Sequence, residues 1–154
     1  MLVAATGIRI SKPVNEVFEA VVDPRKMSQY FISFGSERLA TGRDVVWKFE
    51  DFGATEPFSI RVKEVVDGQS IALVWSPREG ENNSVKLTFE ATGPNQTTVK
   101  VVEDGGWKAD AQGMLRWAGQ IEGWVNFMNN LKAYVEYGIS LHRNGIVPGL
   151  MTAG

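Results

Sequence analysis

The chain has 154 residues, 44% of them hydrophobic and 22% charged, a balance that buries about 69% of the unfolded surface in one domain. Eighteen acidic against sixteen basic residues leave a formal charge of -2, so no basic field exists to hold nucleic acid. With no cysteine, disulfides, thiolate metal sites, iron-sulfur clusters and a Cys nucleophile are excluded together.

The first residues, Met1 to Gly7, lack the basic region of a secretory signal, and Arg9 soon follows. No run approaches the ~18 apolar residues of a membrane-spanning helix. The expectation is a cytoplasmic protein, residues 1–154 forming one domain with its core over about 5–140, with no membrane partner. Asn82-Asn83-Ser84 and Asn95-Gln96-Thr97 match glycosylation acceptors and read as turns in that setting.

Residues 3–11 alternate with the period of a strand. Pro13 then opens a helix through Val22, with Val14, Val17, Phe18 and Val21 on one face. Asp23-Pro24 ends it. Arg25 to Phe31 predicts a second short helix with Met27, Tyr30 and Phe31 inward. From Val45 to Val101 apolar residues recur at every second position, broken by Asp51-Phe52-Gly53, Asp67-Gly68, Ser76–Gly80 and Thr92–Asn95. That pattern is an antiparallel meander with one wet face.

The cover for the other face is a helix of roughly thirty residues from Asp110, its N-cap, to His142, about 45 Å long. Met114, Trp117, Ala118, Ile121, Trp124, Val125, Met128, Leu131 and Val135 form its inward face, widened by Phe127, Tyr134, Tyr137 and Leu141. Gly119 and Gly123 predict close approach to the sheet. The fold class is therefore α+β, a helix-grip arrangement in which about six to seven curved antiparallel strands wrap around a long C-terminal helix, with two short helices after the first strand.

This order of elements resembles the START-like SRPBCC superfamily, which shares the birch-pollen-allergen plan. Ile10-Ser-Lys-Pro13, Val17-Phe18, Asp23-Pro24 and the helix from Gly123-Trp124 to Glu136 resemble, more narrowly, its branch of activators of heat-shock-chaperone ATPase. The resemblance implies either an apolar ligand, lipid-like or polyketide-like, held between sheet and helix, or a chaperone partner met through the outer sheet face and loops.

Sequence motifs for metal, nucleotide or triad chemistry are missing, and no cofactor is implied. The single histidine, His142, reads as a helix-end residue. Five tryptophans are the informative excess. Strand parity and helical phase select Trp47, Phe49, Phe58, Ile60, Trp75, Leu87, Phe89, Val101, Trp107, Met114, Trp117, Ile121 and Trp124 as the lining of a ligand cavity. Parity also aims Glu64 and Glu103 inward. Each is either a strand-end residue, exposed or paired with Arg43, Arg61 or Lys108, or, for Glu103, a polar anchor in the pocket. If held in an apolar cavity, Glu103 would be a candidate acid or base for a cyclase- or isomerase-like enzyme. Phe52 reads as a gate residue or loop filler, and Arg78-Glu79-Gly80-Glu81 as a solvated turn. A helix face and a sheet edge each suit a dimer, so monomer and homodimer both stay open.

Overall fold

The structure, a computed structural model, describes residues 2–49, 56–141, 147 and 150. The Asp51-Phe52-Gly53 loop and His142 lie outside the described residues. The elements are β1 (Leu2–Ile10), α1 (Val14–Val22), α2 (Pro24–Met27), β2 (Phe34–Gly35), β3 (Asp44–Lys48), β4 (Phe58–Val66), β5 (Ser70–Trp75), β6 (Asn83–Gly93), β7 (Gln96–Trp107) and α3 (Ala111–Tyr137). The strands form one antiparallel sheet in the order β1-β7-β6-β5-β4-β3-β2. This is the expected helix-grip plan.

Alternation of side chains across the pleat puts Val45, Trp47, Ile60, Val62, Ile71, Leu73, Val85, Leu87, Val99 and Val101 in the core. Parity fails once. A register shift between Val62 and Glu64 inserts an extra residue into β4 and leaves Glu64 exposed rather than inward. The second helix is shorter than expected. Asp23 caps it by accepting from the Arg25 N–H at 2.9 Å, and the chain leaves the α-helix after Met27. Tyr30 is nevertheless fully buried, and its hydroxyl donates to the Ala20 carbonyl at 2.8 Å. Burial, with Tyr134 nearby, holds that hydroxyl's pKa well above the ordinary range.

Helix α3 begins as expected, with Asp110 accepting from the Gly113 N–H at 2.8 Å. It ends earlier than His142, at a left-handed Gly138 with φ 66°, because that residue turns the chain out of the helix. Tyr137 and Leu141 are consequently exposed, not inward, and Val125 also faces solvent. A Cβ on Gly123 would meet open space, so the expected close approach does not occur there. A tight approach of another kind is found at Gly113, where a Cβ would collide with the carbonyl of Lys108 in the connection between β7 and α3.

The helix lies along the outer edge of β1. Trp117 Nε1 donates to the Val3 carbonyl at 2.9 Å, and Lys132 Nζ to the Arg9 carbonyl at 2.7 Å. Glu136 accepts from the Ser11 N–H at 3.0 Å and from Lys132 at 2.7 Å. Backbone contacts join α3 to β1 and β7, whereas among the described residues it stands off from β3, β4 and β5. Trp124 of α3 and Trp75 of β5 meet across that gap, their ring centroids 6.0 Å apart.

The Lys132 ammonium and the Ser11 amide hold the Glu136 carboxyl down at about 2, against an ordinary 4.5. A lowered folded-state pKa stabilises the fold above the ordinary value and ceases to do so as pH falls through the folded one. We expect Glu136→Gln to be less stable than the parent near neutral pH. The difference should shrink between about pH 4.5 and 2, as read from urea-unfolding midpoints across that range.

Candidate functional site

The gap between α3 and β3–β5 is filled by aromatic rings. Trp75, ending β5, has its ring centroid 6.2 Å from Trp47, 6.4 Å from Phe49, 6.2 Å from Phe58 and 6.0 Å from Trp124. Phe31, from the turn after α2, reaches Phe49 at 5.1 Å and Phe127 at 4.8 Å. Most of these pairs are edge-on or tilted, the arrangements ring quadrupoles favour.

Behind this cluster sits Glu103, fully buried on β7. Its Oε2 accepts from Trp75 Nε1 at 2.8 Å and Asn83 Nδ2 at 2.9 Å. Its Oε1 accepts from Gln120 Nε2 and Trp124 Nε1, both at 2.8 Å. Four N–H donors thus meet a group offering about four lone-pair sites. Neither the exposed strand end nor the pairing with Arg43, Arg61 or Lys108 is found. Residues 99, 101 and 103 hold inward parity without a break, and the donors are neutral.

A second carboxylate continues the chain of polar contacts toward the surface. Glu81 accepts from Trp107 Nε1 at 2.9 Å and forms an ion pair with Arg116, the two side chains being 14% and 19% exposed. Burial raises its pKa, but the Arg116 and Trp107 hydrogen bonds, with Asn83 adding to them, outweigh that and hold it below the usual carboxylate value. Glu81 therefore leaves the solvated turn to which its neighbours Arg78, Glu79 and Gly80 belong. Trp107 reaches it because residue 105 is glycine: a Cβ there would fall on the Trp107 indole.

Of the lining residues selected from sequence, Trp47, Phe49, Phe58, Trp75 and Trp124 come together in the ring cluster. Ile60, Leu87 and Val101 are buried in the sheet's core, and Phe89 packs against Phe18 of α1 at 5.1 Å. Trp107 is committed to Glu81. Met114 is 49% exposed and does not line the cluster. Trp117 and Ile121 are half-buried, the former turned to the β1 edge. Sequence reasoning missed Phe31, Asn83, Gln120, Glu81 and Arg116 as parts of this region. Asn83 shares the parity of Val85 and Leu87, and Gln120 lies one turn before Trp124; both signals were available. Among the described residues no cluster of three His, Asp or Glu side chains is placed to hold a metal ion.

A curved antiparallel sheet gripping a long C-terminal helix, with an aromatic interior between them, defines a START-like protein of the helix-grip class. Within that class the chain belongs to the family described as Activator of Hsp90 ATPase homolog 1-like protein, whose model matches residues 11–136. Protein SSP2350 from Staphylococcus saprophyticus is similar at 29% identity and TM-score 0.76, with 91% of this chain and 96% of that one covered. DynU16, of the dynemicin biosynthetic locus, is 27% identical at TM-score 0.77; the match covers 90% of this chain but 48% of DynU16. The Aha1 dimer from Colwellia psychrerythraea shares the fold at 16% identity and TM-score 0.73, over 90% of this chain and 98% of that one. Among curated proteins none matches.

Trp75→Phe, which keeps the ring and removes one donor to a buried carboxylate, should cost about 1.5–3 kcal/mol. Glu103→Leu strands four buried donors and should cost more, upward of about 3 kcal/mol. Denaturant-unfolding midpoints of the two variants check both the magnitudes and their order.

Proposed function

We propose that the protein binds a hydrophobic or amphipathic small molecule between the sheet and α3. The observation that carries this reading is the separation itself: among the described residues α3 keeps close to β1 and β7 but stands off from β3–β5, and the ring cluster lies between them. Ring pairs move apart by rotamer change, whereas backbone packed on backbone does not. The outer members, Phe31 and Phe58, are half-buried, which gives the cluster an accessible rim. The DynU16 likeness adds a relative from a small-molecule biosynthetic locus. Glu103 enters as the support of the two indoles rather than as a reacting group, since both its oxygens are taken by protein donors.

A second reading follows from the family match: an interaction module that meets a chaperone through its outer sheet face. Val102 is exposed there, beside Lys86 and Lys100. Capture of a chaperone that survives disruption of the ring cluster would favour this reading.

Native mass spectrometry of gently purified protein, followed by solvent extraction, should release an apolar molecule in stoichiometric amount. Phe58→Ala removes part of the accessible rim and should weaken rebinding of the extracted molecule by about tenfold, roughly 1.4 kcal/mol, in a tryptophan-fluorescence titration. Unchanged affinity in that variant would remove Phe58 from the site.

A further inference from the structure

The outer face of the sheet carries two adjoining depressions. One lies over β1 and β7, between Ala5 and Arg9 and between Thr98 and Val102; the other runs on over β6 and β5 as far as Lys63 of β4. They share Lys100 and Val102 and together form a trough across β1, β7, β6, β5 and β4, about 19 Å at the usual strand spacing. Its floor is low because the outward residues are small. Gly7 is paired opposite Lys100, Ala5 opposite Val102, and Ala72 opposite Lys86. Val74 and Val102 are its largest outward apolar side chains, and Val102 is 45% exposed.

The rim is cationic. Arg9, Lys63, Lys86 and Lys100 are all exposed, and among the described residues none of them forms an ion pair. Asp104 is the acid that lines the trough, and its Oδ1 accepts from the Gly106 N–H at 2.9 Å. Glu64 and Glu90 stand at the flanks, opposite Ala72 and Thr98. The chain as a whole carries a formal charge of -2, so this trough runs against the balance of the molecule.

These features select the occupant. Unpaired lysines around an apolar floor are complementary to carboxylates beside an apolar stripe. A nucleic acid would bring phosphates against Asp104, Glu64 and Glu90. A bilayer is entered by large apolar side chains, and the trough turns none larger than valine outward. The backbones of β7, β6, β5 and β4 are paired on both sides, so an extended segment finds no ladder to join. A helix brings its own backbone hydrogen bonds.

We infer that the trough docks an acidic amphipathic helix of a partner protein, about thirteen residues long, its apolar stripe on Val74 and Val102 and its carboxylates on Lys63, Lys86 and Lys100. This rests on the interaction-module reading given above and names the chemistry of the partner's segment.

The test uses three dye-labelled helical peptides of about fourteen residues, each with one leucine face and with the flanking positions all Glu, all Gln or all Lys. Affinities come from fluorescence anisotropy, and the site from amide shifts of the isotope-labelled protein. The Glu peptide should bind about tenfold or more tightly than the Gln peptide, with the Lys peptide weakest, and should shift Ala72, Lys86 and Val102. Its affinity should fall as salt is raised. Lys63→Glu, Lys86→Glu and Lys100→Glu together should reverse the order of the peptides, with circular dichroism checking the fold. If that variant does not fold, Lys63→Gln, Lys86→Gln and Lys100→Gln together should remove the Glu peptide's advantage. Equal binding of the Glu and Lys peptides, binding of none, or shifts confined to residues outside the trough would overturn the inference. Binding to phosphatidylserine-containing vesicles but not to the Glu peptide would overturn it too, and make the face a membrane surface. Glu-peptide binding without capture of a chaperone supports the trough and removes only the chaperone as its source. Capture of a chaperone that the triple reversal leaves unchanged overturns the trough while the interaction-module reading stands.

Discussion

The structure turns on how a carboxylate is kept inside a protein without a countercharge. Stripping water from Glu103 is expensive unless every lone pair is met, and the four donors come from three places: the end of β5, the start of β6 and the middle of α3. Trp75 and Asn83 are paired across β5 and β6, and Val85 is paired with Glu103 across β6 and β7. A one-residue slip at either pairing would aim a donor at solvent. The same carboxylate sets the rotation of α3, because Gln120 and Trp124 reach it only when one face of the helix is down. Register and helix phase are thus tied to a single residue.

Glu81 extends this constraint outward. It ties the start of β6 to α3 through Arg116 and to the end of β7 through Trp107, so the N-terminal half of the helix is held by directional polar contacts. The C-terminal half adds burial of Phe127, Met128 and Leu131 to the hydrogen bonds of Lys132 and Glu136. Apolar packing resists separation over its whole area, whereas a few polar contacts give way one at a time. The two halves of one helix therefore differ in how readily they lift from the sheet, and the ring cluster meets the helix where they join, at Trp124 and Phe127.

Much of the fold was legible because period-two alternation and the caps Asp23 and Asp110 are local signals. The antiparallel meander, the long helix and the inward parity of Glu103 all follow from them. What escaped depended on tertiary geometry. The β4 bulge turned Glu64 outward, and nothing in the residues around it marks an inserted position. Gly138 ended α3 early, although the apolar pattern through Leu141 suggested that it continued. Met114 and Val125 fit the broad stripe but are exposed, the phase that turns Trp124 toward Glu103 leaving its neighbour Val125 outward. For the site, the aromatic residues were visible as an excess, whereas the donor cage was not. Asn83 and Gln120 are ordinary polar residues until a buried acid faces them. Glu81 looked like part of a turn because its partner Arg116 is distant in sequence.

The placement of α3 along β1 also decides how copies of this chain can meet. A free edge strand offers unpaired carbonyls and amides to any extended chain, but the Val3 and Arg9 carbonyls of β1 are taken by Trp117 and Lys132. At the opposite edge β2 is two residues long, too short to template another strand. Neither margin is suited to prolonging the sheet from one molecule into the next. Self-association, where it occurs, is left to surfaces that meet through side chains, and the runaway strand stacking that threatens open sheets has no ready starting point.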